Sequence, residues 1–99
     1  MDFRVEVLLS VQRALWDVVT PNIRGVAVRI DYPDIVVRFL FDAELSVQDR
    51  ENVSEAETFV VADFPEDVSV AADAEFVQVT VSRDLRPGEE WAYLRKEAT

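Results

Sequence analysis

Val26-Ala27-Val28-Arg29-Ile30-Asp31-Tyr32-Pro33-Asp34-Ile35-Val36-Val37-Arg38-Phe39-Leu40-Phe41 reads as two strands and the turn between them. Val26, Val28 and Ile30 alternate with Ala27, Arg29 and Asp31. Ile35, Val37, Phe39 and Phe41 alternate with Val36, Arg38, Leu40 and Asp42. A period of two sends successive side chains to opposite faces of a sheet, so each run buries one row. Tyr32-Pro33-Asp34 is turn chemistry. The segment therefore predicts an antiparallel hairpin.

Working outward, the first element carries two patterns. Phe3, Val5, Val7 and Leu9 alternate as in a strand. Phe3, Val7, Val11, Ala14, Leu15 and Val18 fall at helical spacing. The helical pattern lasts longer and meets Thr20-Pro21-Asn22, a helix-ending sequence. It predicts a helix from about residue 3 to 19. Core packing is the usual fate of a tryptophan, so Trp16, near the end of that helix, is expected in the core or at its edge. After the hairpin, Ser46 is placed to cap a second helix, and Asp49 is its capping-box acid. Val53, Ala56, Val60 and Phe64 form the apolar stripe of that helix, and Pro65 stops it. Glu66-Asp67 opens a polar loop. Phe76 to Ser82 predicts a third strand with Val77, Val79 and Val81 buried. Leu85-Arg86-Pro87-Gly88 is a turn, and Trp91 to Arg95 a short fourth strand. The order α-β-β-α-β-β predicts one domain over residues 1–99 of the α+β class. Its architecture is a two-layer sandwich, an antiparallel sheet of about four strands with two helices on one face.

Composition limits the chemistry. The chain has no cysteine and no histidine. Disulfides are ruled out, and zinc, haem and iron–sulfur centres lose their usual ligands. Nucleophilic dyads and triads lose their usual base. The sequence thus predicts no catalytic residues, no metal site and no cofactor. Paired carboxylates run glycoside hydrolysis, but twenty acids in 99 residues guarantee chance pairs. No apolar run approaches the roughly 18 residues of a membrane span. Met1-Asp2-Phe3-Arg4-Val5-Glu6 lacks the layout of a signal peptide. The expected compartment is the cytosol.

Charge is the one lead towards function. The net charge is −10. Eleven acids lie between Asp42 and Glu75 against a single base, Arg50, and account for all of it; the remaining nine acids and nine bases cancel. Such a field attracts cations and repels nucleic acid and anionic lipid. Stepping 100° per residue from Val53, Glu51 and Glu55 point almost straight out of the second helix, beside Thr58 and Ala62. Asp42 and Glu44 lead into that helix; Asp63, Glu66 and Asp67 follow it. Together they predict an anionic dock for a basic protein. The bland alternative is a solvated helix face. Trp91 and Tyr93 are the candidate apolar anchors of the dock, with core packing as their alternative. Glu57 lies about 40° from the stripe centre at helical pitch. A half-buried carboxylate needs a partner, and Arg13, Arg29 and Arg38 are the candidates. Arg29 and Arg38, with Val36, Leu40, Gln78 and Thr80, should form an open second face of the sheet, an ordinary half-exposed face with a homodimer surface or a partner's seat as the alternative.

Several runs carry a resemblance. They are Val11-Gln12-Arg13-Ala14-Leu15, Val19-Thr20-Pro21-Asn22-Ile23-Arg24, Arg38-Phe39-Leu40-Phe41-Asp42, Val60-Val61-Ala62-Asp63-Phe64-Pro65 and Trp91-Ala92-Tyr93-Leu94-Arg95-Lys96-Glu97. Covering most of the chain, they resemble a widespread family of small, mostly uncharacterised bacterial proteins. In size and acidity such proteins are similar to the immunity proteins of colicins and contact-dependent inhibition systems. The resemblance implies a non-enzymatic immunity protein or antitoxin. It would neutralise a basic, nucleic-acid-cleaving toxin by offering carboxylates where the toxin expects phosphates. The alternative is a homodimeric structural or housekeeping domain whose acidity serves solubility.

Overall fold

The computed structural model describes residues 2–97. Its elements are α1 (Phe3–Ala14), β1 (Ile23–Asp31), β2 (Asp34–Phe41), α2 (Val47–Ala62), β3 (Ser69–Phe76) and β4 (Glu89–Leu94). They form the α+β sandwich that the pattern predicts, with one sheet of order β3-β2-β1-β4.

The hairpin is the centre of that sheet. β1 and β2 pair antiparallel from Asp31↔Asp34 through Val28↔Val37 and Val26↔Phe39, joined at a cis Tyr32–Pro33 peptide bond. Val26, Val28, Ile35, Val37, Phe39 and Phe41 are all buried, and they pack in one cluster with residues of both helices. α1 supplies Val7, Val11 and Ala14; α2 supplies Val53, Ala56 and Val60. Each fully buried Val, Ile or Phe contributes about 1.5–3 kcal/mol.

Both helices start where the side chains can cap them. The Asp2 carboxylate accepts from the Arg4 backbone N–H at 2.9 Å. Ser46 and Asp49 form the predicted capping box, each accepting the other's backbone N–H at 3.0 Å. α1 stops at Ala14, short of the expected residue 19. Leu15 to Val18 continue in turns tightened by i→i−3 bonds, from Trp16 N–H to Arg13 and from Val18 N–H to Leu15. Leu15 and Val18 stay buried, so the stripe persists while the regular helix does not. Asp17, Val18, Val19 and Thr20 are poor helix formers next to Pro21.

Two expectations for the sheet are corrected. β1 pairs antiparallel with β2 and β4, but β3 runs parallel to β2. The sheet is mixed rather than antiparallel, because α2 is itself the crossover between β2 and β3. Parallel neighbours need a connection of about a dozen residues or more, and the 16 residues of α2 provide it. The third strand is Ser69–Phe76, not Phe76–Ser82. Val70, Ala72 and Ala74 pack against the core in alternation with Ala71, Asp73 and Glu75. Val79 and Val81 are 60% and 51% exposed.

Candidate functional site

Two arginines, Arg24 and Arg38, are buried on the sheet face away from the helices. Arg38, 4% exposed, donates from Nε and Nη2 to Glu89 at 2.9 and 2.7 Å, from Nη1 to Glu75, and from Nη2 to the Asp84 carbonyl. Arg24, 2% exposed, donates from Nε and Nη2 to Glu97 at 2.8 and 3.0 Å. Its Nη1 serves the carbonyls of Val77, Gln78 and Val81. Two buried guanidiniums thus tie the 77–88 segment across the sheet. The expected open face is corrected accordingly: Arg38 and Leu40 are buried beneath that segment, while Arg29, Gln78 and Thr80 remain exposed. The Arg24 hydrogen bond, aided by Arg95 and opposed by burial, holds the Glu97 carboxyl down at about 2. Arg38 likewise lowers Glu89 against the cost of its burial.

The acids of the middle third divide into two groups. Asp42 accepts from Arg95 at 2.7 Å. Asp63 accepts from Ser10 Oγ at 2.6 Å and from Arg13 at 3.3 Å. Asp67 accepts from the Tyr32 hydroxyl at 3.1 Å. Glu44, Glu51, Glu55 and Glu66 are exposed and have no ion-pair or hydrogen-bonding partner among the described residues. Glu51 and Glu55 stand on the outer side of α2, opposite its buried Val53, Ala56 and Val60. Their lack of partners has a simple cause, since most arginines are committed elsewhere. Arg4, Arg13, Arg24, Arg38, Arg83, Arg86 and Arg95 are all in ion pairs.

Glu57 is half-buried as expected, but its partner is not an arginine. Its Oε2 accepts from the Ala72 backbone N–H at 2.7 Å. β3 is an edge strand, so this carboxylate satisfies a backbone donor that the sheet leaves free. Glu57 and Asp73 share a groove of about 330 Å³ between α2 and β3 with Arg50, Val53 and Ser54. Among the described residues, no group of three or more acids gathers where it would hold a metal ion. Among the described residues no helix is long and apolar enough to cross a membrane.

The aromatics are distributed differently from their spacing. A register shift in the β1–β4 pairing sets Tyr93 opposite Val26 and Trp91 opposite Ala27, on opposite faces. Tyr93 packs against the core. Trp91 covers Gly25 on the other face, where an added Cβ would lie 2.9 Å from its ring. Both are half-buried. Trp16, expected in the core or at its edge, is 79% exposed. Steps of 100° per residue from the buried Val7 carry it to the side of α1 that holds Val5 and Leu9.

Fold and surface together define a small α+β domain that spends its arginines internally and displays carboxylates on its helical layer. The chain belongs to the MafI2 immunity protein family, whose model matches residues 4–97. No curated protein matches the chain.

Proposed function

We propose that this protein is the non-enzymatic immunity partner of a basic toxin domain, and that it acts in the cytosol by covering the toxin's cationic, nucleic-acid-cleaving surface. The observation that carries this reading is the pair of exposed carboxylates on α2, Glu51 and Glu55, without a partner among the described residues, in a chain of the MafI2 immunity protein family. Glu51 and Glu55 form the centre of the field, with Glu44 and Glu66 at its two ends. Asp42, Asp63 and Asp67 contribute less, because each already accepts a hydrogen bond within the chain. Opposite fields accelerate encounter and select partners, whereas buried anchors set the lifetime of the complex.

The test uses the product of the reading frame that adjoins this gene, purified in inactivated form as the candidate toxin domain. Replacing Glu51 and Glu55 by lysine is expected to slow association and flatten its dependence on ionic strength. An acidic toxin domain, or association indifferent to salt in the unaltered protein, overturns the reading.

A further inference from the structure

The outer side of α1 carries three exposed apolar side chains, Val5, Leu9 and Trp16. Val5, Leu9, Gln12 and Trp16 recur every three or four residues and share one side, opposite the buried Val7, Val11 and Ala14. Leu9 is 42% exposed, and Trp16 is the most exposed large apolar side chain among the described residues. A single exposed leucine needs no explanation. An exposed tryptophan aligned with Val5 and Leu9 does, because such patches mark interaction sites.

α2 extends this surface. Arg13 and Ser10 of α1 meet Asp63 near the end of α2. Val11, Ala14 and Leu15 line one small cavity together with Ala56 and Val60, further back along it. The helices therefore run antiparallel, side by side, and their outer sides make one continuous layer. Phe59, 43% exposed, lies about 40° round α2 from Asp63 at helical pitch, on the side turned towards α1. Across the layer there is thus an apolar row on α1, then Phe59, then the Glu51/Glu55 ridge. Neighbouring helix axes lie about 8–10 Å apart, so the row and the ridge fit within one contact patch.

Charge decides the occupant. Glu6 and Asp17 flank the apolar row, both exposed and without ion-pair partners among the described residues. The nearest bases on α1, Arg4 and Arg13, are tied to Glu90 and Asp63. A second copy seated on this layer about a two-fold axis would face this acidic patch with an identical acidic patch. A basic partner meets no such repulsion.

We infer that the outer face of the helical layer is the toxin-docking surface, with Trp16 as its apolar anchor. Trp16 enters an apolar recess on the toxin domain, Leu9 and Phe59 border it, and lysines or arginines beside the recess meet Glu51 and Glu55. This deepens the immunity reading and rests on it. Trp16 takes the anchoring role that spacing alone suggested for Trp91 and Tyr93.

The experiment measures binding kinetics on the same immobilised, inactivated toxin domain. Trp16→Ala is expected to raise Kd about thirtyfold, the size of a hot-spot loss, almost entirely through faster dissociation. Its thermal unfolding should match the unaltered protein, because the side chain is exposed. Leu9→Ala should act in the same direction with a smaller effect. In a Trp91→Phe background, the emission of Trp16 should shift to the blue on binding. If the unaltered protein binds tightly and Trp16→Ala dissociates no faster, the docking face is wrong and the immunity reading stands. If the unaltered protein does not bind the toxin domain, both fall. If Trp16→Ala instead abolishes a concentration-dependent dimer in sedimentation, the occupant is a second copy and the proposal is overturned.

Discussion

Arg38 and Glu55 lie on opposite sides of the same two-layer sandwich and meet opposite fates. Arg38 is buried between Glu75 and Glu89 on the far side of the sheet. Glu55 stands in solvent on the helical layer with no partner among the described residues. A buried ion pair gains little over an apolar core of equal volume, because desolvation consumes most of the attraction. Its consequence is positional: Arg24 and Arg38 fix the 77–88 segment and the residues around Glu97 by directional hydrogen bonds. The exposed carboxylates fix nothing inside the molecule. Charge is structural on one side and outward-facing on the other.

The sharpest way to break this contrast is to remove a base from the buried side. Arg38→Met leaves Glu89 buried without its cation, and should destabilise the fold by about 3–5 kcal/mol in urea unfolding. Adding Glu89→Leu to Arg38→Met should recover most of the loss, because the orphaned charge is then gone. If the single variant unfolds like the unaltered protein, the buried pairs do not hold the 77–88 segment.

The second test is pH. The Glu97 carboxyl is lowered to about 2 from an ordinary 4.5. A depressed carboxyl contributes stability that is fully present above its unfolded value and is lost as pH falls through its folded one. The unaltered protein should therefore lose stability relative to Glu97→Gln between about pH 4.5 and pH 2. The gap between their urea midpoints should be widest above pH 5. A gap independent of pH would show that the Arg24–Glu97 pairing is not formed in solution.

Legibility followed the strength of each local signal. The hairpin was readable because Val26, Val28, Val37 and Phe39 are large and strictly alternating. The start of α2 was readable because Ser46 and Asp49 act within three residues of each other. β3 was hidden because its buried row is Val70, Ala72 and Ala74, while the nearby Val77, Val79 and Val81 imitate a stronger strand. Alanine carries little apolar surface, so a row of it reads as a loop. The arginine clamps were unreadable for another reason. Arg24 pairs with Glu97 across 73 positions, and no spacing rule reaches that far. Trp16 was misread because core packing is the usual fate of a tryptophan, whereas steps of 100° per residue from the buried Val7 set it on the opposite side of α1. The direction of Glu51 and Glu55 needed only the pitch of a regular helix, and the structure places both outward.

A smaller effect belongs to the cap that orients α2 and so aims its ridge. Ser46→Ala removes an acceptor for the Asp49 N–H and should cost about 1 kcal/mol. Asp49 is itself buried, and its carboxylate would keep its bond to the Ser46 backbone N–H. Ser46→Asp should restore most of the stability. A loss well beyond this range would mean that the segment before α2 depends on the hydroxyl for more than capping.

The smallest effect on stability is the most diagnostic, because stability and binding should move in opposite directions. Glu51 and Glu55 are four residues apart on one exposed face, a spacing at which like charges repel and cost about 0.2–0.5 kcal/mol. Glu55→Lys converts the repulsion into attraction, with the acid on the N-terminal side, the favourable orientation. Helix stability should rise by a few tenths of a kcal/mol, within the range of ordinary surface changes. Association with a basic toxin domain should nevertheless slow, and its salt dependence should weaken. A ridge that served only solubility would show the stability gain and no kinetic loss. A ridge that meets a cationic partner shows both, so this one substitution separates a solvated face from a docking face.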